Sequence, residues 1–137
     1  MVRNRFKKVL LVAPKVFPVQ LLTEYRNVKH IELVSAIFPS LFELKPDLII
    51  FDYDYVGEDI EKVLRRIMLN KFYDKLKICC CKNTEEPKTD AFLRMIGVDS
   101  FVYKEDLIKA EKSKNILGSI GNILDASVLK WVGSIAN

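Results

Sequence analysis

Pro46-Asp-Leu-Ile-Ile-Phe-Asp52 decides the fold. Four consecutive apolar residues, closed at both ends by a carboxylate, read as a short strand buried on both faces, the pattern of a central strand in a parallel sheet. The same pattern occurs on either side, in residues 8–13 (Lys-Val-Leu-Leu-Val-Ala) and 75–81 (Lys-Leu-Lys-Ile-Cys-Cys-Cys), and again in the short run at 100–103. Residues 29–37 supply a fifth strand, second in chain order. Between these runs the apolar period changes from strand to helix. Residues 16–25 place Leu21, Leu22 and Tyr25 at helical spacing, with Pro18 in the first turn, where proline is tolerated. Residues 40–44 form one or two helical turns that stop before Pro46, because proline disfavours helix in the residue ahead of it. Residues 57–70 put Ile60, Val63, Leu64, Ile67 and Met68 on one face with Arg65 and Arg66 opposite. Residues 85–96 form a fourth helix closed by Gly97. Strands that alternate with helices require a parallel sheet, since parallel neighbours need a crossover of about a dozen residues.

The chain has 137 residues, half of them hydrophobic, which suits one unit with its own core. We expect a single domain over residues 1–137, with a core at about 7–107 and a C-terminal helical extension at about 113–136. In that extension Ile116, Ile120, Ile123, Leu124, Val128, Leu129, Val132 and Ile135 recur at helical spacing, a stripe longer than one helix needs to cover a sheet. The formal charge of +4 comes from 22 basic residues interleaved with 18 acidic ones, so no nucleic-acid partner is expected. Neither a membrane span nor a secretory leader is expected, which points to a cytoplasmic location. Cys79, Cys80 and Cys81 are consecutive, alternate faces of a strand and cannot jointly chelate one ion; they read as buried core thiols. His30, the sole histidine, reads as a rim residue, and Glu85-Glu86 as an acidic helix start.

In an open α/β sheet, ligands gather at the carboxyl ends of the strands. Those ends carry Ala13 and Pro14, then Asp52 and Asp54, then Cys81 and Lys82, then Lys104. Residues 46–52, and residues 97–104 (Gly-Val-Asp-Ser-Phe-Val-Tyr-Lys), resemble two motifs of the receiver domains of bacterial two-component response regulators. The likeness covers roughly residues 8–107. It implies a flavodoxin-like, doubly wound, five-stranded parallel sheet of order 2-1-3-4-5, with helices on both faces and an extended C-terminal helix.

By that resemblance Asp52 stands at the phosphoacceptor position, Lys104 at the position of the family's lysine, and Asp54 at the residue whose main-chain carbonyl joins the Mg²⁺ shell. Phe101 stands at the switch aromatic. Departures are as plain as matches. The acidic pair that holds Mg²⁺ is replaced by Ala13 and Pro14, the switch hydroxyl by Lys82 (or Cys81, one residue earlier), and the proline after the lysine by Glu105. Mg²⁺ needs oxygen ligands, so the loss of two carboxylates weakens any site that Asp52 and Asp54 could form, and no cofactor is expected.

The resulting expectation is a stand-alone pseudo-receiver: no enzyme, but a module acting by protein contact, with a histidine kinase or another signalling protein as partner. Homodimerisation through the fourth helix, fifth strand and C-terminal helix is part of the same expectation. Two alternatives stay open at this point: a response regulator phosphorylated on Asp52 with an atypical metal site, and a small-ligand binder or enzyme on a flavodoxin-like fold. If Lys82 and Lys104 both faced Asp52, a fixed ion cluster would replace the phosphorylation-dependent one.

Overall fold

The computed structural model describes residues 8–17, 25 and 27–106. Five strands run in the order β1 (Lys8–Val12), β2 (Asn27–Ile31), β3 (Leu48–Asp52), β4 (Lys77–Lys82) and β5 (Ser100–Tyr103). They form one parallel sheet of spatial order β2-β1-β3-β4-β5, the order that the receiver resemblance implies. Helices α1 (Ile37–Leu44), α2 (Tyr53–Val56), α3 (Asp59–Met68) and α4 (Pro87–Met95) connect them, with 3-10 turns at Val34–Ala36 and Lys71–Tyr73. None of the helices among the described residues is long and apolar enough to cross a membrane.

The pleat sorts the central strands into two cores. Leu10, Val12, Ile49, Phe51, Ile78, Cys80 and Phe101 face α1, α3 and α4, meeting Ile37, Leu41, Ile60, Val63, Leu64, Ile67 and Leu93. Val9, Leu11, Leu48, Ile50, Cys79, Cys81 and Val102 face the other way and pack with Tyr25. Each fully buried aliphatic side chain in these layers stabilises the fold by about 1.5–3 kcal/mol. The helix expected at residues 16–25, apart from its ends, and the C-terminal helix expected at about 113–136 lie outside the described residues.

Several details depart from the sequence expectation. The second strand was expected at residues 29–37 but occupies Asn27–Ile31, in register with the whole of β1. The apolar residues that suggested the later strand belong instead to the Val34–Ala36 turn and the start of α1, whose Ile37 is fully buried. In α3 the stripe of Ile60, Val63, Leu64 and Ile67 is buried as expected, but Met68 is 59% exposed. It is the last residue of the helix, and its thioether lies beside Gly97. The fourth helix starts at Pro87, with Glu86 extended ahead of it, two residues later than expected.

Gly97 closes α4 with φ +122°, a backbone region open to glycine alone, and a Cβ there would stand 3.0 Å from Met68 Sδ. Gly97→Ala is expected to lower stability by about 1–3 kcal/mol in urea unfolding. Adding Met68→Ala relieves the contact but not the dihedral strain. Full recovery in the double variant would show that crowding, not the backbone, sets the requirement.

Candidate functional site

The pleat that divides the core also divides the polar groups at the carboxyl edge of the sheet. Asp52 ends β3 opposite Cys81, on the parity of Leu48 and Ile50. Lys104, just after β5, has the parity of Val102. The two meet: Lys104 Nζ donates to Asp52 Oδ1 at 2.9 Å, with the Asp52 side chain 5% exposed and that of Lys104 29%. Asp54, in the first turn of α2, has Oδ2 3.8 Å from the same ammonium and accepts the Asn83 N–H at 2.8 Å. The structure thus brings Asp52, Asp54 and Lys104 together.

Lys82 ends β4 one residue beyond Cys81, so it emerges on the opposite face with Cys80, Phe101 and Tyr103. It makes no ion pair with Asp52, and the two-lysine cluster around Asp52 does not form. Lys82 is instead fully buried, donating to Asp90 Oδ1 at 2.5 Å and to Glu86 Oε1 at 2.7 Å. Tyr103 Oη donates to Asp90 Oδ2 at 2.6 Å, and the Glu86 N–H donates to the same oxygen at 3.3 Å. The Lys82 ammonium lies 4.9 Å from the centre of the Tyr53 ring.

Burial opposes charge on both members of this pair, but their mutual hydrogen bonds outweigh it. Lys82 is held above its ordinary value by Asp90 and Glu86, and Asp90 below its ordinary value by Lys82 and Tyr103. Burial, then the bond to Asp90, pushes the Tyr103 hydroxyl up. Phe101 is buried and stacks on Tyr103, ring centres 6.0 Å apart, with Arg94 Cζ 4.8 Å from its own centre. Sequence reasoning missed Asp90 and Tyr103. A lysine at a strand end, with a carboxylate on the first turns of the following helix, is the signal that could have found them.

His30, expected at the start of the second strand, stands near its carboxyl end because β2 runs from Asn27 to Ile31. Its Nε2 lies 2.8 Å from the Ala13 carbonyl, which can only accept, so Nε2 carries the proton.

The three cysteines are buried and free. Burial pushes the thiols of Cys79 and Cys81 up to about 12 and that of Cys80 up as well. Native protein is therefore expected to resist iodoacetamide at about pH 8, taking up label on all three only in denaturant. Rapid labelling of the folded chain would contradict that placement.

Mg²⁺, implied by the receiver resemblance, takes oxygen ligands in near-octahedral geometry. Around the ends of β1 and β3, Ala13 and Pro14 offer no side-chain oxygen, and the Ala13 carbonyl is engaged by His30. Asp52 is neutralised by Lys104, and Asp54 is tied to the Asn83 N–H with the same lysine near it. This donor set does not fit a resident Mg²⁺. Among the described residues no group of three or more His, Cys, Asp or Glu is placed to hold a metal.

A five-stranded parallel sheet of this order is the fold of response-regulator receiver domains. Solved structures with this fold include the signal receiver domain of a DNA-binding response regulator protein (merR) from Colwellia psychrerythraea, with a TM-score of 0.66, 14% identity, and coverage of 93% of this chain and 98% of that one. The phosphorylated cyanobacterial phytochrome response regulator RcpA matches with a TM-score of 0.65 and 18% identity over 93% of this chain and 95% of that one. A response regulator in red light signaling of R. palustris gives 0.65 at 15% identity, over 85% and 88% of the two chains. No protein-family model and no curated protein sequence matches the chain.

Proposed function

We infer that the chain is a receiver-like module of a two-component (phosphorelay) system that signals through protein contacts, without phosphoryl transfer to Asp52. The observation that carries this reading is the edge itself, where Ala13 and Pro14 stand in place of carboxylates and the cation beside Asp52 is Lys104. Phosphoryl transfer to a carboxylate needs cationic stabilisation of the charge that gathers on the transferring group. Here the cation is a lysine already bound to the acceptor, with Asp54 competing for the same ammonium. Asp52 and Lys104 then serve as a fixed neutral pair that joins the ends of β3 and β5.

On the other face, Lys82 ties β4 to α4 through Asp90, and Tyr103 on β5 ties to the same carboxylate. These bonds support a constant α4–β5 surface, the part of the expected dimer or partner face that falls among the described residues. In this reading the protein is cytoplasmic and not an enzyme, and a histidine kinase or another signalling protein is its partner.

Incubation with Mg²⁺ and acetyl phosphate tests it, with intact mass read before and after mild base. The expected result is no stoichiometric adduct, and the same mass for wild type and Asp52→Asn. A base-labile adduct on wild type that is absent from Asp52→Asn would establish the phosphorylated response regulator instead. Asp52 Oδ2 accepts no hydrogen bond among the described residues, which is the specific observation favouring that second reading.

A further inference from the structure

The amino edge of the sheet, opposite the end that carries Asp52, has an open aromatic surface that the proposed function does not use. Phe42 on α1 and Phe72 in the Lys71–Tyr73 turn are 65% and 53% exposed, yet they stack on each other with ring centres 6.1 Å apart. Phe72 meets Tyr73 edge-on at 5.1 Å, Tyr73 meets Phe38 at 6.1 Å, and Arg66 Cζ caps the Phe38 ring at 3.9 Å. Four rings in series thus span the surface between two elements. Single exposed apolar residues are ordinary, but a contiguous exposed patch marks an interaction surface.

Beside the rings lies a cavity of about 270 Å³ whose apolar lining comes from Leu41, Pro46, Phe72, Tyr73 and Leu76. Lys45 and Lys75 also line it; both are exposed, and neither has an ion-pair partner among the described residues. Lys45 is fixed there by the end of α1, as its φ of +51° closes the helix ahead of Pro46. Lys71 extends the positive character along the turn. The one carboxylate in the lining, Asp47, already accepts the Lys8 N–H at 3.1 Å.

We propose that this aromatic groove docks an acidic segment of a partner protein, with a leucine or aromatic side chain entering the cavity and flanking carboxylates meeting Lys45, Lys71 and Lys75. Charge complementarity selects the occupant. A second copy of the chain, paired face to face, would set the same lysines against each other. A polyphosphate strand has no apolar group to enter the cavity lined by Leu41, Pro46, Phe72, Tyr73 and Leu76. The groove is at the other end of the sheet from Asp52, so its occupancy stands or falls independently of the phosphoryl question.

The test uses the full chain and a fluorescein-labelled synthetic peptide that alternates Glu and Asp with Leu and Trp, read by fluorescence anisotropy. A second peptide with lysine in place of each acidic residue has the same apolar content. The acidic peptide is expected to bind, and both Phe72→Ala and the pair Lys45→Glu/Lys75→Glu to weaken it by about tenfold or more. Lys88→Glu, the same change that each groove lysine receives but placed on the exposed side of α4, leaves binding unchanged. Circular dichroism checks that each variant is folded. Equal binding of the lysine peptide, indifference to the groove variants, or no binding up to about 1 mM overturns the proposal. So does a dimer that Phe72→Ala disperses in sedimentation, or tighter binding of an oligothymidylate that the groove variants abolish.

Discussion

Lys82→Met is expected to lower the stability of the folded chain by about 3–5 kcal/mol, the range for breaking a buried ion pair by removing one partner. Asp90 is 5% exposed, and without the ammonium it keeps the Tyr103 hydroxyl and the Glu86 N–H but no opposite charge. Glu86 is a minor partner, since its side chain is 54% exposed and water screens it. The double variant Lys82→Met/Asp90→Leu removes both charges and should be more stable than Lys82→Met, because an apolar replacement of a buried pair is often neutral. Urea unfolding of the three proteins gives the comparison. A loss below about 1 kcal/mol for Lys82→Met would mean that water reaches Asp90 and the pair does not hold α4 in place.

The pH dependence has a definite sign. Asp90 is held below its ordinary value of 3.8, so its contribution is present above 3.8 and lost as pH falls through the lowered folded value. Lys82 is held above its ordinary 10.5, so its contribution is present below 10.5 and lost as pH rises through the raised folded value. The stability gap between wild type and the double variant should therefore be flat between those two values and change outside them.

Phe51→Ala is expected to cost about 3–5 kcal/mol, by the transfer term for the lost ring plus the cavity it leaves. Phe51 is 0% exposed, in the middle strand of the sheet, paired with Val12 on one side and Cys80 on the other. Neighbouring strands hold the backbone on both sides, so collapse around the void is limited. Phe51→Leu retains most of the buried volume and should lose about half as much or less. The residue precedes Asp52, so the same variant also tests whether the Lys104 ion pair depends on strand packing. Phe51→Ala with unchanged stability would require a core far looser than these burials describe.

The parts of the fold read correctly from sequence are those where burial on both faces leaves a continuous apolar signal. Residues 48–51 and 100–103 are of this kind. The edge strand is not: Val28, Lys29 and His30 alternate between half-buried and exposed, and the apolar signal that displaced the strand came from the turn and helix after Ile31. At the candidate site, Asp52 and Lys104 were found through the strands that carry them. The two-lysine cluster, conditional on Lys82 facing Asp52, does not form because the pleat places adjacent residues of β4 on opposite sides. The true partner of Lys82 is eight positions along the chain, across a turn and a helix start. No regular period links those positions, and the one cue is a carboxylate on the first turns of the helix that follows a strand-end lysine.

The Lys82–Asp90 bond also governs how the structure can open. For α4 to lift from the sheet by itself, its first turn would carry Asp90 away and leave an ammonium stranded beneath Tyr53 and Tyr103. Partial opening of that helix then adds the cost of a broken buried pair, about 3–5 kcal/mol, to the packing it loses. In hydrogen-exchange terms, the amides of α4 and of β4 belong to one cooperative unit, and their slowest protons should leave together.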